Sequence, residues 1–467
     1  MVSTKEEDLI YGVRHTSVGP SRSTGSGVVH VLSGMDLAMK LHYLKGVYFF
    51  NSHAVEGLTV VRLKETMFEW LNHYYYTSGR LWRSVESGRP YIKCNDCGSR
   101  FIEAQCDKTV EEWLETRDWS LEKLLVSQQV IGPELSFSPP LLMQFEHLIL
   151  KSTDSTKTRL GPTATHSRPV WDSPRTCLGP DVTQFKCGGM SLGLSWAHIL
   201  GDAFCLSDFI NGWGRILAGI RPNSPSKFHE PDPQIERPKH PPPLSVEQVD
   251  PVGDHWITAD NCKMDTFSFH VTASQLAILQ SSPNQTDEIP IFESLCGVIW
   301  QCFAKVREGR GEPKTVTICR KDPTRPTNGI VTNTQIISSI KADFSVMETS
   351  PKKLAKWILN QAVDERRQIE ELVESDGGVS DFIVYGANLT FVDLQEAEFY
   401  GLELNGHKPD SVSFSVQGVG DEGAVLVLPG PKDCGEGRVV TIILSENEVR
   451  ELKSELGKNG LLFEGNL

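Results

Sequence analysis

No stretch of roughly 20 uninterrupted apolar residues, the length a membrane-crossing helix needs, occurs in the 467 residues. A transmembrane segment is therefore not expected. Basic residues are in deficit: 46 Lys and Arg stand against 60 Asp and Glu, a formal net charge of -14, which argues against nucleic acid or anionic lipid as a general partner. The opening residues Met1 to Asp8 carry acids where a secretory signal needs a basic region and an apolar run, so no such signal is expected. A second Cys-x-x-Cys pair is missing too. The eleven cysteines are odd in number and irregularly spaced, a pattern of reduced thiols rather than of a disulfide framework. Cys94 and Cys97 make a half-site with only Cys106 close by, and a structural zinc needs a second pair, so no metal is expected. A chain of this length buries a substantial core and usually forms two domains.

What is present is most informative around His198 and Asp202, four residues apart. Ahead of them Met190, Leu192, Leu194 and Trp196 alternate with Ser191, Gly193, Ser195 and Ala197. That is the period of a strand with one bulky and one nearly bare face, and something must lie close against the bare side. After Asp202 the period changes, because Leu206, Phe209, Ile210, Trp213, Ile216 and Leu217 fall on one helical stripe. His198 thus sits where a strand hands over to a helix, held by rigid elements yet able to open onto a cleft. Its ordinary pKa suits a general base near neutral pH. Asp202 has a structural alternative as the cap of the following helix, where its carboxylate accepts from exposed N–H groups.

These residues resemble the BAHD acyltransferases, plant enzymes that move acyl groups from coenzyme A thioesters to alcohols or amines. The family signature His-x-x-x-Asp-Gly, preceded by Thr-x-Phe-x-Cys-Gly-Gly, is matched by Thr183-Gln184-Phe185-Lys186-Cys187-Gly188-Gly189, His198 and Asp202, with Ala203 in place of the final Gly. Leu32 to Asp36, Gly98 to Ala104, and Phe292 to Leu295 leading to Trp300 and Arg307 follow in family order. The second signature, Asp-Phe-Gly-Trp-Gly-Lys-Pro, survives only as a remnant in Glu403, Lys408 and Pro409. Met35 to Tyr43 and Leu194 to Asp202 are similar to one branch, the Eceriferum and Glossy proteins of cuticular wax synthesis.

The resemblance implies an α/β fold of two chloramphenicol-acetyltransferase-like domains, each a mixed β-sheet with helices, with a channel at their interface that makes the cleft before His198 a passage between the domains. It implies His198 and Asp202 as catalytic residues and Arg320 as the salt-bridge partner of Asp202; a solvent-facing strand-end arginine is the alternative for Arg320. The branch implies an accessory role in very-long-chain fatty acid elongation, with a ketoacyl-CoA synthase as partner, on the cytosolic face of the endoplasmic reticulum or in the cytoplasm. The other reading is an acyltransferase in which His198 takes a proton from a hydroxyl or amine. Acyl-CoA enters either reading as a substrate or bound partner; no resident cofactor is expected.

Along the chain, 1–221 is expected to form the domain carrying the His-x-x-x-Asp motif, Pro222 to Asp254 a Pro-rich crossover, and 255–467 the second domain, with a segment near 385–410 packing on the first. Residues 145–181, rich in Ser, Thr, Arg and Pro without a period, are expected to be an irregular surface insertion. Val60, Leu63, Met67, Phe68, Leu71 and Tyr75 predict a helix, as do Leu295 to Val306. Ser350-Pro351 predicts the start of a helix carrying Leu354, Trp357, Ile358 and Ile369. Val439 to Leu444 predicts a buried strand, followed by a helix with a Ser445 and Glu448 capping box and a stop at Gly457.

Overall fold

A computed structural model describes residues 9–116, 119–128, 139–148, 188–221, 227–228, 240–249, 264–280, 289–325, 330–418, 420, 422–431 and 437–462. Two mixed sheets with flanking helices dominate. The first has six strands in the order Ile10–Val18, Ser99–Cys106, Leu141–Leu148, Met190–Ala197, His42–Phe50 and Ser411–Gly418. The second has seven, in the order Met264–Val271, Arg438–Ser445, Ala424–Pro429, Leu389–Asp393, Thr315–Arg320, Ile336–Lys341 and Val363–Asp364. The last strand of the first sheet comes from late in the chain, pairing antiparallel with His42–Phe50 from Ser411 opposite Phe49 to Gly418 opposite His42. One buried cluster accordingly unites Trp196 and Phe209 with Tyr385, Phe399, Leu402 and Leu404. Among the described residues, no helix is long and apolar enough to cross a membrane.

The Met190–Ala197 strand is buried along its whole length. Its bulky face, Leu192, Leu194 and Trp196, joins the core beneath the Val60–Trp70 and Ala203–Leu217 helices. Those two helices touch closely, with Gly212 against the Trp70 ring and the Trp70 indole N–H donating to the Phe209 carbonyl at 3.0 Å. The bare face is covered by the 3₁₀ segment Trp119–Leu125 and the residues after it. At Gly193 a Cβ would lie 1.9 Å from the Leu125 carbonyl oxygen, well inside contact distance. The small residues are there because backbone packs on them.

Several expectations about element boundaries change. Leu141–Leu148 is a strand, parallel to Ser99–Cys106 and antiparallel to Met190–Ala197, so 145–148 belong to the sheet; 149–181 lie outside the described residues, as do Thr183 to Cys187 of the motif. Of the Pro-rich crossover, 227–228 and 240–249 are described, and Glu247–Val249 pairs with Asp381–Ile383. The helix that starts at Ser350-Pro351 ends at Gln361, and Ile369 belongs to a separate helix, Arg366–Glu374. The capping box at Ser445 does not close: Ser445 makes no side-chain cap bond, and Glu448 is taken by the Arg307 guanidinium at 3.0–3.1 Å. A charged partner outcompetes a neutral backbone donor. That helix also runs through Gly457 to Lys458, and Gly460 supplies the positive φ of 73° just beyond it.

Gly193→Ala is expected to lower stability by about 1–3 kcal/mol or more, since backbone rather than a yielding side chain stands in the way. The reading is a reduced urea midpoint at unchanged slope; an unaltered midpoint contradicts the packing described.

Candidate functional site

His198 opens a 3₁₀ turn, His198–Leu200, at the end of the central strand. Gly201, at φ 141°, then reverses the chain into the Ala203–Leu217 helix, and the Trp196 indole fixes the turn by donating to the Gly201 carbonyl at 2.9 Å. Asp202 is the cap of that helix. One carboxylate oxygen accepts from the N–H groups of Phe204 and Cys205 at 3.1 and 3.0 Å and from Arg325 Nη1 at 3.1 Å. The other accepts from the Thr334 N–H and hydroxyl at 3.0 and 3.1 Å. Five donors satisfy it fully, and none is the His198 ring.

Arg325, not Arg320, is the salt-bridge partner of Asp202. Alternation explains the difference. In the Thr315–Arg320 strand, Val316 and Ile318 face the Ile291–Val306 helix, and Arg320 shares their parity. Its guanidinium therefore meets Glu293 of that helix at 2.6 Å and lies over the Phe292 ring. The chain must turn once more before Arg325 reaches Asp202, where it also contacts Asp208 and the Cys205 sulfur.

The stretch after it braces the site. Asp36, in a capping box with Ser33, accepts from the Thr332 hydroxyl and from the Asn333 N–H and side-chain amide. The same Asn333 amide donates to the His198 carbonyl at 2.9 Å. Residues 332–334 thus tie Asp36, His198 and Asp202 together, from a run whose polar, non-periodic sequence carries no local sign of the role.

The ring of His198 does not open onto the expected passage. It is 0 % exposed, and its Nε2 lies 2.6 Å from the Tyr385 hydroxyl, itself on a side chain 1 % exposed. Gln335 donates to the same hydroxyl at 3.4 Å, so the phenol proton is free to point to His198. Burial lowers the His198 pKa, its own carbonyl and Asp202 opposing the shift, and burial raises that of Tyr385 well above the usual value. Both groups are neutral; with the phenol donating to Nε2, the ring proton sits on Nδ1, which is buried and has no hydrogen-bond partner among the described residues. Beside them His42 accepts from the Val384 N–H at 3.1 Å and meets the Tyr385 ring edge-on. Burial, with His198 adding to it, pushes His42 down to about 3.

The remnant of the second signature lies apart from this site. Leu404 to His407 form a tight turn with positive φ at Asn405 and Gly406, and the Asn405 amide donates to the carbonyls of Ala54 and Glu56. Glu403 and Lys408, both exposed, face each other at 3.8 Å, and Pro409 is buried just before the Ser411–Gly418 strand. The hydrogen-bond partners of His198 are Tyr385, Asn333 and Gly201, and none comes from 403–409. Cys94 is buried with its thiol toward the Ile92 carbonyl, Cys97 is exposed, and among the described residues no three His, Cys, Asp or Glu cluster as a metal site.

Comparison with known proteins gives a consistent picture. A model described as the Transferase family matches residues 12–149 and 175–458. Protein ECERIFERUM 26 of Arabidopsis thaliana is 40% identical over 460 residues, covering 97% of this chain and 96% of that protein. ECERIFERUM 26-like from the same plant is 43% identical over 468 residues and 99% of each chain, and ECERIFERUM 2 is 34% identical over 464 residues, 97% of this chain and 99% of that one. Among solved structures, vinorine synthase superposes with a TM-score of 0.63 at 17% identity, covering 96% of this chain and 98% of that chain. F. sporotrichioides TRI101 complexed with coenzyme A and T-2 gives 0.64 at 15%, covering 92% and 98%. At those identities the likeness speaks for the fold.

Asp202→Ala removes the cap and leaves the Arg325 guanidinium, whose side chain is 4% exposed, without its buried partner. A loss of about 3–5 kcal/mol is expected, measured by urea unfolding; a loss under about 1 kcal/mol contradicts the structural role. The histidines add a pH dependence. His42 is neutral when folded and titrates near 6.5 when unfolded, so its contribution is complete above about pH 6.5 and is lost as pH falls towards 3. The slope is roughly 1.4 kcal/mol per pH unit. His42→Gln is expected to flatten stability against pH between about pH 6 and 4 by that amount; an unchanged slope shows that His42 is not buried neutral.

Proposed function

Because the chain belongs to the BAHD transferase family, in its Eceriferum branch, we propose that it acts as an accessory protein of very-long-chain fatty acid elongation in cuticular wax formation. In this reading it works beside a ketoacyl-CoA synthase at the cytosolic face of the endoplasmic reticulum, as a peripheral protein, and extends the acyl chain length the condensing enzyme reaches. The observation that carries it is the hydroxyl of Tyr385 on His198 Nε2 at 2.6 Å. A transferase needs that lone pair free for the proton of an acceptor hydroxyl or amine. Here the acceptor position is filled by the protein's own phenol, in a spot without solvent exposure. The Glu403 to Pro409 remnant, folded as a turn away from His198, agrees with a chain under no demand to turn over.

The rival reading, acyl transfer with His198 as general base, draws on the neutral imidazole held by rigid elements at the strand-to-helix seam. It requires Tyr385 to swing aside. One experiment separates the two: express the protein with a condensing enzyme in a heterologous host, and compare fatty acid profiles for wild type, His198→Ala and Tyr385→Phe. The accessory reading expects chain extension to persist in both variants. Loss of extension in His198→Ala, with folding and partner binding intact, establishes the transferase instead.

A further inference from the structure

The first sheet carries a second polar layer on its bare face, beside the 3₁₀ segment Trp119–Leu125. Strand pairing sets Ser195, Lys45 and Ser415 in one row across three neighbouring strands. The Lys45 side chain is buried, 4% exposed, and its ammonium donates to the Ser195 hydroxyl at 2.7 Å and the Ser127 carbonyl at 2.6 Å. An ammonium has three donors, and among the described residues Lys45 makes no ion pair with a carboxylate. Lys45 borders a cavity of about 220 Å³ between the sheets, whose walls include Glu122, Ser415, Thr441, Val47 and Ile443.

A covered sheet face normally fills the space beneath its neighbour with interdigitated apolar side chains. This layer is hydroxyl-rich instead, with Ser268 and Thr441 bonded to each other at 2.8 Å on the opposite wall. Apolar voids stay dry, whereas a roomy polar one takes a hydrogen-bonding guest. A void of roughly 150 Å³ admits benzene, so this one suits a molecule of a few carbons and is far too small for a very long chain.

We propose that the cavity is a binding site for a short-chain monocarboxylate, the carboxylate on the Lys45 ammonium and Ser415 hydroxyl and the carbon chain along Val47 and Ile443. The site is independent of the reading given to His198. Burial pushes Lys45 down to about 7, and a bound anion draws the proton back. The other titratable groups around the cavity are Glu122 and Lys123 on the 3₁₀ segment and Asp265 on the Met264–Val271 strand, with the Tyr43 ring beside the ammonium. Burial pushes Glu122 up to about 8, its bond with Ser413 opposing. Glu122 is therefore largely neutral at pH 7 and repels an anion only as it ionises. Both titrations weaken binding as pH rises.

The test is calorimetric titration of the full chain with butyrate and hexanoate, and with butyramide as the uncharged control. Saturable binding of the acids alone is expected, at least about tenfold weaker at about pH 8.5 than at about pH 6.5. Lys45→Met is expected to abolish it. Ser415→Val leaves both Lys45 hydrogen bonds in place and is expected to weaken it by about tenfold, which decides the matter should Lys45→Met fail to fold. No saturable heat from either acid, equal binding of butyramide, or affinity unchanged in Ser415→Val overturns the proposal.

Discussion

Two buried carboxylates from the first half of the chain, Asp36 and Asp202, are both satisfied by one short stretch of the second half. Left unpaired, either would carry a desolvation cost of several kcal/mol. Thr332, Asn333 and Thr334 supply the donors, with Arg325 completing the shell of Asp202. This arrangement ties the halves together at the seam and makes the position of His198 a consequence of the tie, because the Asn333 amide that serves Asp36 also holds the His198 carbonyl. The aspartate of the His-x-x-x-Asp pair thus serves the architecture, and the histidine inherits its placement.

Tyr385 acts on that placement from the other side. Its phenol, buried and neutral, sits where an acceptor hydroxyl has to sit for His198 to act as base. Gln335 holds the phenol oxygen and the His42 ring flanks it edge-on, so the tyrosine belongs to a packed set of groups. The family scaffold is kept while the His198 Nε2 is covered by the protein's own phenol.

Local periodicity made part of this legible. The alternation from Met190 to Ala197 followed by a helical stripe located the seam, and the bare face foretold a close neighbour, found as the Leu125 carbonyl over Gly193. Ser350-Pro351 marked a helix start for the same reason, since capping and proline geometry act within a few residues. The misses share a different cause. Arg325, rather than the Arg320 that the resemblance implies, meets Asp202 because a loop's path is not written in a motif match, although strand parity alone turns Arg320 towards the Ile291–Val306 helix. Tyr385 lies 187 positions from His198, one buried aromatic among many, and Asn333 sits in a run without periodicity. The Ser445 and Glu448 motif was a sound local signal lost to a distant competitor, Arg307. Long-range polar partners decide the chemistry of this site, and sequence spacing is silent about them.

The central claim is that the Nε2 lone pair of His198 is occupied by Tyr385. Imidazole nitrogen NMR of the intact protein, with His198 assigned by its loss in a His198→Gln sample, reads that directly. A neutral Nδ1–H ring that does not titrate between about pH 8 and 6, with an Nε2 resonance that shifts in Tyr385→Phe, is the predicted result. A ring titrating near its ordinary value with an Nε2 signal indifferent to Tyr385→Phe contradicts it.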